Sequence, residues 1–420
     1  MSRRVQGDAG RAKLQLLAVV KSRDLAIPAE PYASDPLAGT CENVASASVA
    51  QVVGVCMSDH GRRHRLPGID VEVPRRTVQS IRVDSDERFQ NPNHPMSSES
   101  LGGARGEVAP LRQLAAAVLM VRPAAFDYNP ETALTNTMQR APERGGVAQA
   151  QACKEHEQLA AALAGTGVAV CVVEDTPQPP KPDALFPNNW VSFHEDGTLV
   201  LYPLQPVSRR PERRQEVIDA VLARLGFTVS RVVDLTPHEA AGRYLEGTGS
   251  LVLDHTHRLA YACLSPRTDP AVISEWSQAL GYEPVTFRAA DRAGVPLYHT
   301  NVLLCIGERF AVLGSAAIAT ADRARVIDHL RASGRELIEI GHEEIAQFAG
   351  NMLELACRDG ARGHRRVLVM SAAARQALAP QTLEQLAACT DQVLAVPVPT
   401  IERLGGGSVR CMLAEVFVPA

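Results

Sequence analysis

The sequence predicts an α/β fold over residues 111–420, built on a repeated αββαβ-like unit arranged around an axis. Three observations predict it. Short apolar, strand-like runs alternate with longer helical stretches. Several strands come as adjacent pairs across a short polar turn. A helix then follows the pair, which is not the single βαβ rhythm of a doubly wound sheet.

The elements follow in order. Residues 116–121 read as a strand, and 149–164 as a helix stopped by Gly165 and Gly167. Residues 168–173 form a second strand. The first strand pair is 190–193 with 198–202, across Glu195-Asp196-Gly197, and a helix over 211–225 follows. The second pair is 250–253 with 259–262, across Asp254-His255-Thr256-His257, followed by a helix over 270–280. The third is 302–306 with 310–313, across Gly307-Glu308-Arg309, followed by a helix over 321–332. A last helix covers 380–389.

The 420 residues are 45% hydrophobic and 21% charged, with a formal net charge of −4. That is the composition of a soluble globular chain, and it points away from nucleic acid. No apolar run approaches the roughly 18 residues that span a bilayer. Residues 1–17 have no apolar block before a small-residue cleavage site, so a secretory signal is not expected. The nine cysteines include no Cys-x-x-Cys pair, which argues for a reducing cytoplasm rather than a disulfide framework. Residues 1–105 differ in character: Tyr32 and Phe89 are their only aromatics, and turn formers and charges are mixed throughout. They are expected to be mostly disordered, apart from a short helix within 43–55. Met96 is a plausible true start; a regulatory or partner-binding arm is the alternative.

Four places hold polar residues that local structure does not require. The run Gly405-Gly406-Gly407-Ser408-Val409-Arg410-Cys411 delivers a cysteine to an open site, and Arg410 is placed to favour its thiolate. Asp183-Ala184-Leu185-Phe186-Pro187-Asn188-Asn189-Trp190 presents an acid, two amides and aromatics before a strand, or is a rigid Asn-capped turn. Glu246-Gly247-Thr248-Gly249 is too short for a phosphate loop and lacks its lysine, but sets a carboxylate exposed at a strand start. Tyr298-His299-Thr300-Asn301 puts a histidine and an asparagine two apart, on one side of a strand entry. His255 and His257 lie in a hairpin turn with only Asp254 nearby, so no metal site is expected. Arg209 and Arg210 open either a solvated helix or a carboxylate-binding fork.

Together these motifs resemble the amidinotransferase superfamily of arginine deiminases, dimethylarginine dimethylaminohydrolases and amidinotransferases. The late Gly-rich cysteine loop, the His-x-Asn, the Glu-Gly-x-Gly and the Asp-x-x-Phe segments occur in that family's order. The Phe186-to-Trp190 run, the Arg209-Arg210-x-Glu212-Arg213 run and the Tyr298-to-Asn301 run look most like its citrulline-utilisation hydrolase branch. Arg122-Pro123, Phe126, Asn129, Glu131-Thr132 and Gly350-Asn351-Met352 join the likeness, which covers about residues 115–420. The resemblance implies a five-bladed pseudo-symmetric α/β propeller with its site on the axis.

It also implies roles. Cys411 is the nucleophile, His299 the general acid/base and Glu246 its orienting partner. Asp183 holds the nitrogen end of the substrate, with Phe186, Asn188, Asn189 and Asn301 around it. Arg122, Arg209, Arg210 and Arg243 are candidates for its α-carboxylate. No metal or organic cofactor is needed. The partner is a small amino acid, and a homo-oligomer is compatible with the sequence. Arginine deiminases place an aspartate where this chain has Asn301. An amide suits a neutral urea, so the expected substrate is citrulline, giving ornithine, carbon dioxide and ammonia. The alternatives are arginine deiminase or dimethylarginine dimethylaminohydrolase activity, and a non-catalytic binding protein with a structural cysteine.

Overall fold

A computed structural model describes residues 111–142, 148–359 and 363–418. The expectations for residues 1–105 lie outside these. Two parallel strands come first, β1 (Ala117–Arg122) and β2 (Ala169–Glu174), joined by the helix Ala148–Gly165. Then one pattern repeats. β3 (Val191–Phe193) pairs antiparallel with β4 (Thr198–Leu201), the helix Gln215–Leu225 crosses over, and β5 (Arg231–Asp234) returns parallel to β4. β6 (Leu251–Asp254), β7 (Leu259–Cys263), the helix Pro270–Leu280 and β8 (Glu283–Phe287) repeat it. So do β9 (Leu304–Ile306), β10 (Phe310–Leu313), the helix Thr320–Ala332 and β11 (Glu336–Glu339). β12 (Leu353–Asp359), β13 (Gly363–Ser371), two short helices and β14 (Gln392–Val396) form the next unit.

The last strand, β15 (Ala414–Val416), pairs antiparallel with β1, Ala117 opposite Val416, and parallel with β3. β15, β1 and β2 thereby make a fifth unit of the same pairing from opposite ends of the described chain. The largest sheet runs β2-β1-β15-β3-β4-β5.

Burial explains the strand sequences. The first strands β3, β6 and β9 are buried at every residue, while third strands such as β5 and β11 are largely exposed. Inner strands therefore read as mostly apolar runs, interrupted only by Ser192 in β3 and Asp254 at the end of β6. Helix ends follow local chemistry. Asp269 caps Pro270–Leu280 by accepting from the Ala271 and Val272 amides, with proline at the first position. Trp276 on that helix is buried and donates its indole N–H to the Tyr202 hydroxyl at 2.9 Å.

A short turn precedes most of the first strands: Pro187–Asn189 before β3, Gly247–Ser250 before β6, Thr300–Val302 before β9 and Val409–Met412 before β15. Gly350 and Asn351 stand in the same place before β12. Asn188, Asn189, Asn301 and Cys411 fall on these turns, Glu246 and His299 immediately precede two of them, and Asp183 lies four residues before the first. Among the described residues, no helix is long and apolar enough to cross a membrane.

Candidate active site

The turns meet around a small cavity of about 20 Å³ whose lining includes Asp183, Phe186, Asn189, Arg209, His299 and Cys411. Glycines allow the approach. Gly247 has a φ of +47°, and a side chain there would strike the Asn188 carbonyl oxygen. At Gly249 a methyl group would lie 2.5 Å from Asn189 Nδ2 and 2.7 Å from His299 Nδ1. Gly405 and Gly407 rest on the Phe186 ring, and Gly406, at φ +62°, presses on Asn136 and Gln139. The glycine run is thus needed for close packing on Phe186 as well as for its turn.

His299 Nε2 lies 2.8 Å from Glu246 Oε2. Burial works to raise the Glu246 carboxyl, but Arg267 and the His299 hydrogen bond overcome it and hold it down at about 2. An ionised carboxylate can only accept, so His299 carries its proton on Nε2 and leaves Nδ1 as a lone pair. Burial lowers His299 itself to about 4, against the pull of Glu246. The ring is neutral at physiological pH. Glu246 Oε1 accepts from the Gln205 amide at 3.0 Å, which fixes the carboxylate plane.

Cys411 is 4% exposed, and burial pushes its thiol up. Asn351 Nδ2 lies 3.3 Å and Asn301 Nδ2 3.7 Å from its Sγ. Both amides are ready to donate to a thiolate. Arg410 favours the thiolate by its charge, as expected, but makes no hydrogen bond to it. It donates to Glu415 at 2.9 Å and to the Leu413 carbonyl, so it only weakly opposes the effect of burial on the thiol.

Asp183 Oδ2 accepts from Asn129 Nδ2 at 2.6 Å, and burial raises this carboxyl against Arg209 and that bond. Asn189 Oδ1 accepts from Arg209 at 2.8 Å, while its Nδ2 has no partner. Asn188 is fully buried and its amide has no partner either, but it does not line the cavity.

Three expectations need correction. Glu246 is wholly buried, because it caps the Gly247–Ser250 turn under Arg267 instead of standing exposed at a strand start. His299 and Asn301 do not share one side of a strand, since residues 300–302 form a tight helical turn. Asn301 turns to the Thr248 carbonyl and Cys411 and does not line the cavity. Of the four arginine candidates only Arg209 lines the cavity. Arg122 pairs with Glu157 and Glu174, Arg210 with Glu239, and Arg243 is exposed beyond the Gly242 turn. Arg209 is already gripped by Glu212 through two bonds of 2.9 Å. Glu212 holds Arg209 cationic against burial, and burial pushes the Glu212 carboxyl up while Arg209 opposes it.

Arg267 is the residue that no motif indicated. It is 2% exposed and lines the cavity with its guanidinium 3.3 Å from Glu246 and 5.2 Å from the Tyr298 ring centre. His255 and His257 also separate: one meets the Tyr282 hydroxyl and the other Asp254. Among the described residues no group of three His, Cys, Asp or Glu could hold a metal ion.

No curated protein sequence matches the chain. Solved structures do match its fold. ArgZ without ligand, an arginine dihydrolase from the ornithine-ammonia cycle in Cyanobacteria, is 18% identical with a TM-score of 0.55; the match covers 72% of this chain and 41% of ArgZ. The substrate-bound N-terminal domain of ArgZ gives the same identity and TM-score, over 72% of this chain and 98% of the domain. Unliganded AgrE is 18% identical with a TM-score of 0.55, over 72% and 39% of the two chains. The chain thus spans less than half of full-length ArgZ and AgrE. Residues 122–418 match the model of the family described as N,N dimethylarginine dimethylhydrolase, eukaryotic. The chain therefore belongs to this family of C–N hydrolases within the amidinotransferase superfamily.

Proposed function

We propose that the chain hydrolyses a C–N bond of a guanidino or ureido amino acid through a covalent thio-intermediate on Cys411. One observation carries this reading: Cys411, His299 and Asp183 line a single buried cavity, with Glu246 fixed behind His299. Both Cys411 and His299 start neutral. The thiol proton passes to His299 Nδ1, and Sγ adds to the central carbon of the substrate. His299 then protonates the leaving amine as its C–N bond breaks. In the second half His299 takes a proton from water. The resulting hydroxide attacks the carbon, and Cys411 leaves to recover its thiol.

Charge favours a guanidino substrate. A buried thiol and the raised Asp183 carboxyl both ionise more readily beside a cation. A guanidinium supplies that cation and a urea does not. Arg209 and Arg267 supply the positive charge that a substrate carboxylate requires. The family's named substrate class, N-methylated arginine, and the arginine of ArgZ both fit. Citrulline is the second reading, and one observation favours it: Asn189 Nδ2 has no partner and would suit a urea oxygen. Release of ammonia or dimethylamine from arginine, dimethylarginine and citrulline, measured side by side, tests the choice. A higher kcat/KM for citrulline than for either arginine would overturn the guanidino reading.

Two architectural proposals accompany it. The five units of like pairing are read as a pseudo-symmetric five-bladed propeller, supported by the β15–β1 closure and by the burial of the first strands. Residues 111–420 are read as the whole catalytic unit.

A further inference from the structure

Arg267 joins four parts of the cavity. Its Nε donates to Thr135 Oγ1 at 2.8 Å and its Nη2 to the Thr132 carbonyl at 2.7 Å. Nη1 reaches Glu246 Oε2 at 3.3 Å. The guanidinium lies over Tyr298, whose hydroxyl donates to the Gly406 carbonyl at 2.6 Å. Asn136 Nδ2 donates to that same carbonyl at 3.1 Å.

Thr132, Thr135 and Asn136 belong to one strap, residues 129–140. It is tied at one end by Asn129 to Asp183, and at the other by the Arg140 amide to the Arg403 carbonyl. Gln139 adds a bond to the Leu404 carbonyl. Thr132 and Asn136 line the cavity, while Leu134 at the strap's tip is 84% exposed. Cys411, His299 and Asp183 are all buried with the strap in this position. A substrate entering from this side would lift it.

A buried guanidinium needs acceptors for its five N–H bonds. Lifting the strap takes away two of them, Thr135 Oγ1 and the Thr132 carbonyl. The acceptor that stays is the Glu246 carboxylate, which matches a guanidinium at two points. But Glu246 Oε2 is also the atom that holds His299 Nε2. We propose that Arg267 is a positioning residue that couples the strap to His299. With the strap down, Thr132 and Thr135 hold Arg267 back and Glu246 fixes the ring. With the strap up, Arg267 takes Glu246 for itself and the ring is released. The acid/base group is then set only over an enclosed substrate. This rests on the role read above for His299, but its test does not require turnover.

The experiment compares the full chain with Thr135→Val, Thr135→Ser and Leu134→Ala. Nitrogen-15 multiple-bond NMR reads the His299 tautomer at neutral pH without substrate. Wild type, Thr135→Ser and Leu134→Ala should show the Nε2–H form. Thr135→Val should shift population toward Nδ1–H. In turnover, kcat of Thr135→Val should fall about tenfold with a smaller change in KM, part of the 10²–10⁴ that a placed acid/base group supplies. An unchanged tautomer in Thr135→Val overturns the coupling. So does an equal shift in Thr135→Ser, which keeps the acceptor, or in Leu134→Ala, whose exposed side chain leaves the Thr132 and Thr135 bonds in place. Should Thr135→Val melt early, Thr135→Ala removes the same acceptor. A tautomer shift in a chain that hydrolyses none of the three substrates would keep the coupling and overturn the hydrolase reading instead.

Discussion

Gly249→Ala tests whether the place of the His299 ring limits the reaction. The new methyl would lie 2.5 Å from Asn189 Nδ2, 2.7 Å from His299 Nδ1 and 2.8 Å from His299 Cε1. Ordinary packing needs about 3.5 Å, so the amide must retreat by about 1.0 Å and the ring by about 0.8 Å. Retreat of the ring disturbs its 2.8 Å bond to Glu246. A displacement near 1 Å costs about 10²-fold in rate, or about 2.7 kcal/mol of barrier. Overpacking should cost the fold about 1–3 kcal/mol. The assay is steady-state turnover on the best of the three substrates, with a melting curve run in parallel. A cooperative melt with kcat down about 10²-fold is expected. A folded variant within about twofold of wild-type kcat would refute the argument, because ring position would then not matter. Gly247→Ala is the contrast. Its φ of +47° and the fixed Asn188 carbonyl make it a fold defect, seen as a lower melting temperature.

Three further outcomes are expected. Cys411→Ser should lose at least about 10³-fold in kcat while still folding, and quenched wild type should carry a mass adduct on Cys411; full activity in the serine variant would remove the nucleophile assignment. Burial lowers His156 to about 4, and neither ring nitrogen has a partner. The unfolded chain binds that proton below about pH 6.5, so stability is complete above this pH and falls as pH drops toward 4. His156→Leu should flatten the acid limb of a stability profile by about 1.4 kcal/mol per pH unit, and an unchanged limb would show that the ring does not titrate this way. A chain starting at Met96 should match the full chain in melting temperature and kcat; a loss above about 1–2 kcal/mol would show that the preceding residues stabilise the catalytic unit.

What the sequence disclosed depended on distance along the chain. The helix at 270–280 and the strand at 310–313 were legible because apolar period and end signals lie within a dozen residues. The strand pair β12–β13 went unread, and so did the third strands β5, β8, β11 and β14, although β2 was read. β5 and β11 are half-exposed edges with few apolar positions. Cys411, His299, Glu246 and Asp183 stood out through unusual neighbours, and all but Glu246 line the cavity itself. Their orientation was not legible. Alternation assigns Asn301 to the side of His299, but a tight turn breaks that rule. Arg267 had no local signal. It sits between a proline and a threonine in a loop, and its significance comes from Glu246, Thr132 and Thr135, which only the fold brings near.

The place of β15 bears on how the chain reaches activity during synthesis. This strand lies between β1 and β3, so it links two pieces of sheet made long before it. Asp183, Glu246 and His299 leave the ribosome before Cys411 and β15, which follow together. A partly made chain can form the middle units from local pairings, but the sheet around β15 has to wait for contacts of very long range. Closing that sheet and installing the thiol are one event. Until that sheet closes, His299 and Asp183 have no Cys411 beside them, so the cavity is completed only together with the sheet.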